Sequence, residues 1–150
     1  MHTEAICVSS RGQFQTRLWF CTSPFDGVTL RNTAAIQLLT TSNDQGWAIE
    51  LDKGSWTWFE WGLFANAAEA SAQARTKSET GRWKTSHSNI CARSRPQHLN
   101  SSVVTIDDDM WVGITEGSVI AVRACAMYPG WSNHAHRAEV RFWKWFRPAV

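Results

Sequence analysis

Apolar and polar positions alternate with a period of two along most of this chain. Over 14–20, Phe14, Leu18 and Phe20 share one face with Thr16, while Gln15 and Arg17 point the other way, as a half-buried strand requires. A short β-prone run over 36–41 follows, and then Trp47, Ile49 and Leu51 alternate with Ala48 and Glu50. The intervening Ser42-Asn43-Asp44-Gln45-Gly46 has the composition of a turn, as does Asp52-Lys53-Gly54-Ser55. The run 56–61 (Trp-Thr-Trp-Phe-Glu-Trp) reads as a strand with aromatics on both faces, so either both faces are covered or one of them binds something. Further strands are expected over 82–92, 102–106, 118–127 and 138–146. In the last of these, Ala138, Val140 and Phe142 oppose Glu139, Arg141 and Trp143. The stretch 65–75 breaks the pattern with six alanines, and its propensity is for a short helical insertion. Short strands parted by Gly, Asp, Asn, Ser and Pro turns predict an all-β fold, an antiparallel β-sandwich that takes in residues 1–150 as one domain.

Composition narrows the function classes. With 43% apolar and 19% charged residues, the profile is that of a folded chain and not of a disordered one. A net charge of +2 falls short of the basic footprint of a dedicated nucleic-acid binder, and no RNP-like or zinc-finger signature accompanies the scattered Arg and Lys. No apolar run approaches the length of about 18 residues that a membrane span needs. The first residues lack the apolar stretch of a signal peptide, so the expected location is cytoplasmic. Cys7, Cys21, Cys91 and Cys125 lie far apart, without the paired spacings of a zinc site, and read as buried thiols. What stands out is ten tryptophans beside seven Phe and one Tyr, more indole than core packing calls for.

Several motifs carry a family resemblance. Thr41-Ser42-Asn43-Asp44-Gln45-Gly46-Trp47, Gly54-Ser55-Trp56-Thr57-Trp58-Phe59-Glu60, the segment 89–106, Glu116-Gly117-Ser118-Val119-Ile120-Ala121-Val122-Arg123-Ala124 and Tyr128-Pro129-Gly130-Trp131-Ser132-Asn133 occur in this order. Together they resemble a fungal all-β domain, largely uncharacterised, found alone or at the C-terminal ends of multidomain proteins. The resemblance runs from about residue 36 to residue 143. Asn43 stands where that family usually has His, Ser118 where it has Asp, and 65–80 looks like an insertion. The resemblance implies a jelly-roll or galactose-binding-like sandwich and brings no activity with it.

Carbohydrate binding suits this chemistry best. An indole offers a flat apolar face to the C–H side of a pyranose, and nearby carboxylates, amides and guanidinium groups bond its hydroxyls. Asp44-Gln45-Gly46-Trp47 has this composition, and Trp131-Ser132-Asn133 repeats it. The expected ligand-binding residues are therefore Asp44, Gln45, Trp47, Trp56, Trp58, Arg123, Trp131 and Asn133, with a glycan or glycoconjugate as partner. The blander reading plugs the ends of the sandwich with Trp47 and Trp131 and spends Asp44 and Asn133 on turn amides. A second class is a protein-interaction or homodimerisation domain with an exposed aromatic face, and a third is an enzyme of unrecognised type. No catalytic signature nominates a residue, and neither His134-x-His136 nor Asp107-Asp108-Asp109 has the ligand pattern of a metal site, so no cofactor or metal is expected.

Overall fold

The structure, a computed structural model, describes residues 4–9, 13–77 and 81–146. Its strands are β1 (Ala5–Ser9), β2 (Gln15–Cys21), β3 (Thr33–Asn43), β4 (Thr57–Phe64), β5 (Lys84–Ser88), β6 (Gln97–Asn100), β7 (Val104–Thr105), β8 (Val119–Ala126) and β9 (Trp131–Lys144). Two short helices join them, α1 (Gly27–Asn32) and α2 (Ala67–Ala72). Early and late strands pair antiparallel in nested fashion, β1 with β9, β2 with β8, β3 with β6 and β4 with β5. Rolling that long hairpin up brings β3 onto β9 and β4 onto β8. The result is one sheet in the order β1-β9-β3-β6, with β7 on β3, facing another in the order β2-β8-β4-β5. This is the strand order of a jelly roll, an antiparallel sandwich of the kind the alternation predicts. Its consequence for function is geometric: the β3–β4, β5–β6 and β8–β9 loops all open at the same end.

Between the sheets, Ile36 and Leu38 of β3 meet Phe59 and Trp61 of β4 and Val122 of β8, all fully or almost fully buried. Phe59 and Trp61 thus point inward and Trp58 and Glu60 outward, as the period of two requires. β8 is buried at every position because a second layer covers its outer face. That layer is the alanine-rich insertion. Asn66 caps α2 through the Glu69 N–H at 2.8 Å, and the Glu69 carboxylate accepts in return from the N–H of Ala65, one residue before the cap, at 2.7 Å, a near relative of the capping box. Ala70 and Trp83 then pack on Phe64, Val119 and Ala121. Gly62 permits this close approach, since a Cβ there would lie 2.3 Å from the Arg82 carbonyl oxygen.

The structure departs from the sequence pattern in three places. A register shift in β2 between Leu18 and Phe20 sends Phe20 into the main core and leaves Leu18 on the outer cluster, so the two do not share a face. The alternating 47–51 segment forms no strand, because β3 and β4 are each already flanked on both sides; it runs as an exposed loop into a 3₁₀ turn at Leu51–Lys53. Strand β1 turns the small Ala5, Cys7 and Ser9 inward and leaves Ile6 and Val8 exposed, and β6, helix α1 and the first half of β9 mix polar with apolar residues, so hydrophobic periodicity does not announce them. Among the described residues, no helix is long and apolar enough to cross a membrane.

His87 of β5 gives the fold a pH dependence. Its ring lies between the Thr40 and Ser86 hydroxyls, each 2.8 Å away, and against Phe59. Burial holds its pKa down to about 4. The unfolded chain protonates this ring near the ordinary value, so the folded state loses stability as pH falls through 6.5 toward 4, and no further below that. Urea unfolding at a series of pH values should show this contribution, up to about 3 kcal/mol, and His87→Gln should flatten that part of the profile.

Candidate functional site

At the end of β3 the chain turns through Asp44, whose carboxylate is fully buried. It accepts hydrogen bonds from the backbone N–H groups of Gly46 at 2.8 Å, Ala92 at 2.6 Å and Arg93 at 3.0 Å. Ala92 takes a left-handed φ of 57° in this turn. Gly46, at φ 87°, sits so close to Ser94 that an added Cβ would be 2.9 Å from the Ser94 Cβ. One carboxylate therefore fastens the β3–β4 loop to the β5–β6 loop. Gln45 makes the next link: its Nε2 donates to the Trp47 carbonyl, and its Oε1 accepts from the Ser132 N–H at 3.1 Å. Two motifs separated by 87 residues in sequence are joined there.

Trp47 emerges from this frame with its indole laid against Gly130. A Cβ at Gly130 would lie 3.0 Å from the ring, a tight contact, and the backbone there holds a φ of 84°, the conformation that favours glycine. Tyr128, in the same β8–β9 loop, holds a left-handed φ of 71°, a conformation a bulky residue adopts only when its surroundings impose it. Its ring meets Trp56 edge-on, with centroids 4.8 Å apart. Trp47 remains 51% and Tyr128 41% exposed, with Trp56 partly covered. Beside them, the Ser132 hydroxyl and His134 Nε2 are 2.9 Å apart. The loop end thus carries a small aromatic platform of Trp47, Tyr128 and Trp56 with a polar margin.

The expected ligand-binding residues divide by position. Gln45, Trp47 and Trp56 come together at this end, and Asp44 lies beneath them with its oxygens committed to backbone N–H groups. Asn133 is fully buried as well: its amide donates to the Trp58 carbonyl at 2.8 Å and its oxygen accepts from Asn89 at 2.9 Å. Trp131 turns inward and is buried. Trp58 and Arg123 belong elsewhere, on the outer face of the β2-β8-β4-β5 sheet. Arg123 Nε donates to Glu60 Oε2 at 2.7 Å, and its Nη1 donates to the carbonyls of Ala74 and Thr76 under the insertion. Its guanidinium stands 4.3 Å over the Trp83 ring. Trp58 donates to Glu60 Oε1 at 3.0 Å and stacks on Phe14. The polar groups of Asp44, Asn133 and Arg123 face protein partners, so these residues position others and do not touch a ligand themselves.

Tyr128, Gly130 and the 92–94 segment also form part of this end; they lie within the sequence motifs named above, which was the available signal, but are not among the expected ligand-binding residues. Burial pushes the Cys7 thiol up to about 11 and the Cys125 thiol well above its ordinary value, which makes both poor nucleophiles at neutral pH. No protein-family model, curated protein or solved structure matches the chain.

Proposed function

We propose that this domain is a non-catalytic carbohydrate-binding module that stacks a sugar ring on the exposed indole of Trp47. The observation that carries this reading is the cost of the arrangement. Leaving half of an indole in water forgoes about 1–2 kcal/mol of burial, yet Asp44, Gln45 and Gly130 are spent on holding that indole in place. A fold needing only a plug would turn the ring inward, as it does Trp131. Tyr128 and Trp56 extend the platform beside Trp47, and Ser132 and His134 at its margin add the hydrogen-bonding character that sugar recognition uses. Four free cysteines suit a reducing compartment such as the cytoplasm.

A glycan array is the test. The wild-type chain should bind one structural class of glycan, and Trp47→Ala should lose that binding about a hundredfold or more while melting within a few degrees of wild type, because the side chain contributes little to the core. Absence of any hit, together with dimers that form with rising concentration in light scattering, would sink the glycan reading in favour of a self-association surface.

A further inference from the structure

Two side chains beside Trp47 have no place in a sugar site. Ile49 is 91% and Leu51 65% exposed, and neither belongs to a core cluster. With Trp47 they occupy every second position of the β3–β4 loop, whose root is tied down by Asp44 and Gln45. The charges around them are Glu50 paired with Lys53, Asp52 exposed, and Arg93 and Arg95 exposed in the adjoining β5–β6 loop. Among the described residues no ion pair engages either arginine, and with Asp44 buried beneath, the exposed charges here are three cations (Lys53, Arg93, Arg95) to two carboxylates (Glu50, Asp52).

We propose that this loop is a membrane-docking tip: Trp47, Ile49 and Leu51 enter the interfacial layer of a lipid bilayer, with Arg93 and Arg95 against its anionic headgroups. Area and shape favour lipid over a second copy of the chain. Three side chains on one loop expose only a few hundred Å², short of the roughly 800 Å² per partner of a stable protein interface. A projecting tip needs a matching concavity on a protein, whereas fluid lipid closes around it without one. Tryptophan favours the headgroup boundary, Ile and Leu favour the acyl region just below it, and surface arginines add attraction to anionic lipid.

This inference goes beyond the glycan reading and shares only Trp47 with it. The test is flotation with vesicles of phosphatidylcholine and phosphatidylserine, free of any glycolipid. Wild type should float with the lipid. The double variant Ile49→Ser/Leu51→Ser, which melts like wild type, should bind about tenfold or more weakly. Arg93→Gln/Arg95→Gln should weaken binding to these vesicles and leave the residual binding to pure phosphatidylcholine unchanged. Wild type that stays with the unbound fraction, or a serine variant that floats equally well, overturns the proposal. So does self-association in light scattering that the serine variant abolishes while vesicles remain unbound, since it hands the tip to a second copy. The serine variant keeps Trp47, so its sugar binding reports on the other reading alone: a chain that floats but ignores every glycan contradicts only the carbohydrate assignment.

Discussion

Replacing Arg123 by methionine is expected to destabilise the domain by about 3–5 kcal/mol, because it strands a buried carboxylate. Arg123 on β8 and Glu60 on β4 are register partners, both essentially inaccessible to water. The guanidinium neutralises Glu60 and donates to two carbonyls of the covering segment, Ala74 and Thr76. Without it, Glu60 is left buried beside Trp58 with its counter-ion gone, and the insertion loses two of the hydrogen bonds that fasten it to the sheet. Urea unfolding followed by tryptophan emission measures the loss. The double variant Arg123→Met/Glu60→Leu should recover much of it, since replacing both charges removes the desolvation penalty that removing one exposes. A single variant as stable as the wild type would mean that the insertion does not bury the pair.

Asp44→Asn should have the next largest effect, a loss of about 2–3 kcal/mol. The carboxylate is an acceptor for three N–H groups, and an amide offers one oxygen and sets an NH₂ against the remaining donors. The damage should extend beyond stability. The β3–β4 and β5–β6 loops come apart at this point, so Trp47 should gain mobility, read as a change in its emission and quenching in the folded state. Asp44→Asn should therefore weaken ligand binding even though Asp44 touches no ligand, and Asp44→Glu, which keeps the charge at a different reach, should restore it in part.

The parity of Phe59 and Trp61 against Trp58 and Glu60 was readable in the sequence because a two-residue period allows one inward face once the core side is chosen. What covers the outward face was not readable, because it depends on a tertiary contact between the alanine-rich insertion and Trp83. The outcome for Arg123 follows from the same contact: in sequence it is an ordinary strand arginine, and only the carbonyls of Ala74 and Thr76 make it internal. The alternation at Trp47, Ile49 and Leu51 misled for the opposite reason. It has the period of a strand, but both neighbouring strands have their partners already, and the apolar residues are left in water. At the site, the two tryptophan-bearing turns were recognisable from composition, and that they meet follows from the jelly-roll order, which brings three loops to one end. The sequence surplus of ten tryptophans divides accordingly: Trp61, Trp83, Trp111 and Trp131 are buried, Trp19, Trp56 and Trp58 half-buried, and Trp47, Trp143 and Trp145 exposed. Of the exposed three, Trp47 is the one that emerges from a loop fastened by a buried carboxylate and by Gln45.

The central claim is that Trp47 is held outward to meet a ligand, and titration of tryptophan emission with glycans tests it most directly. The account predicts a saturable change on addition of one glycan class, lost in Trp47→Ala and retained in Trp143→Ala, whose exposed indole lies on the distant part of β9. An emission change that survives in Trp47→Ala, or a wild-type chain whose emission no glycan alters, would contradict it.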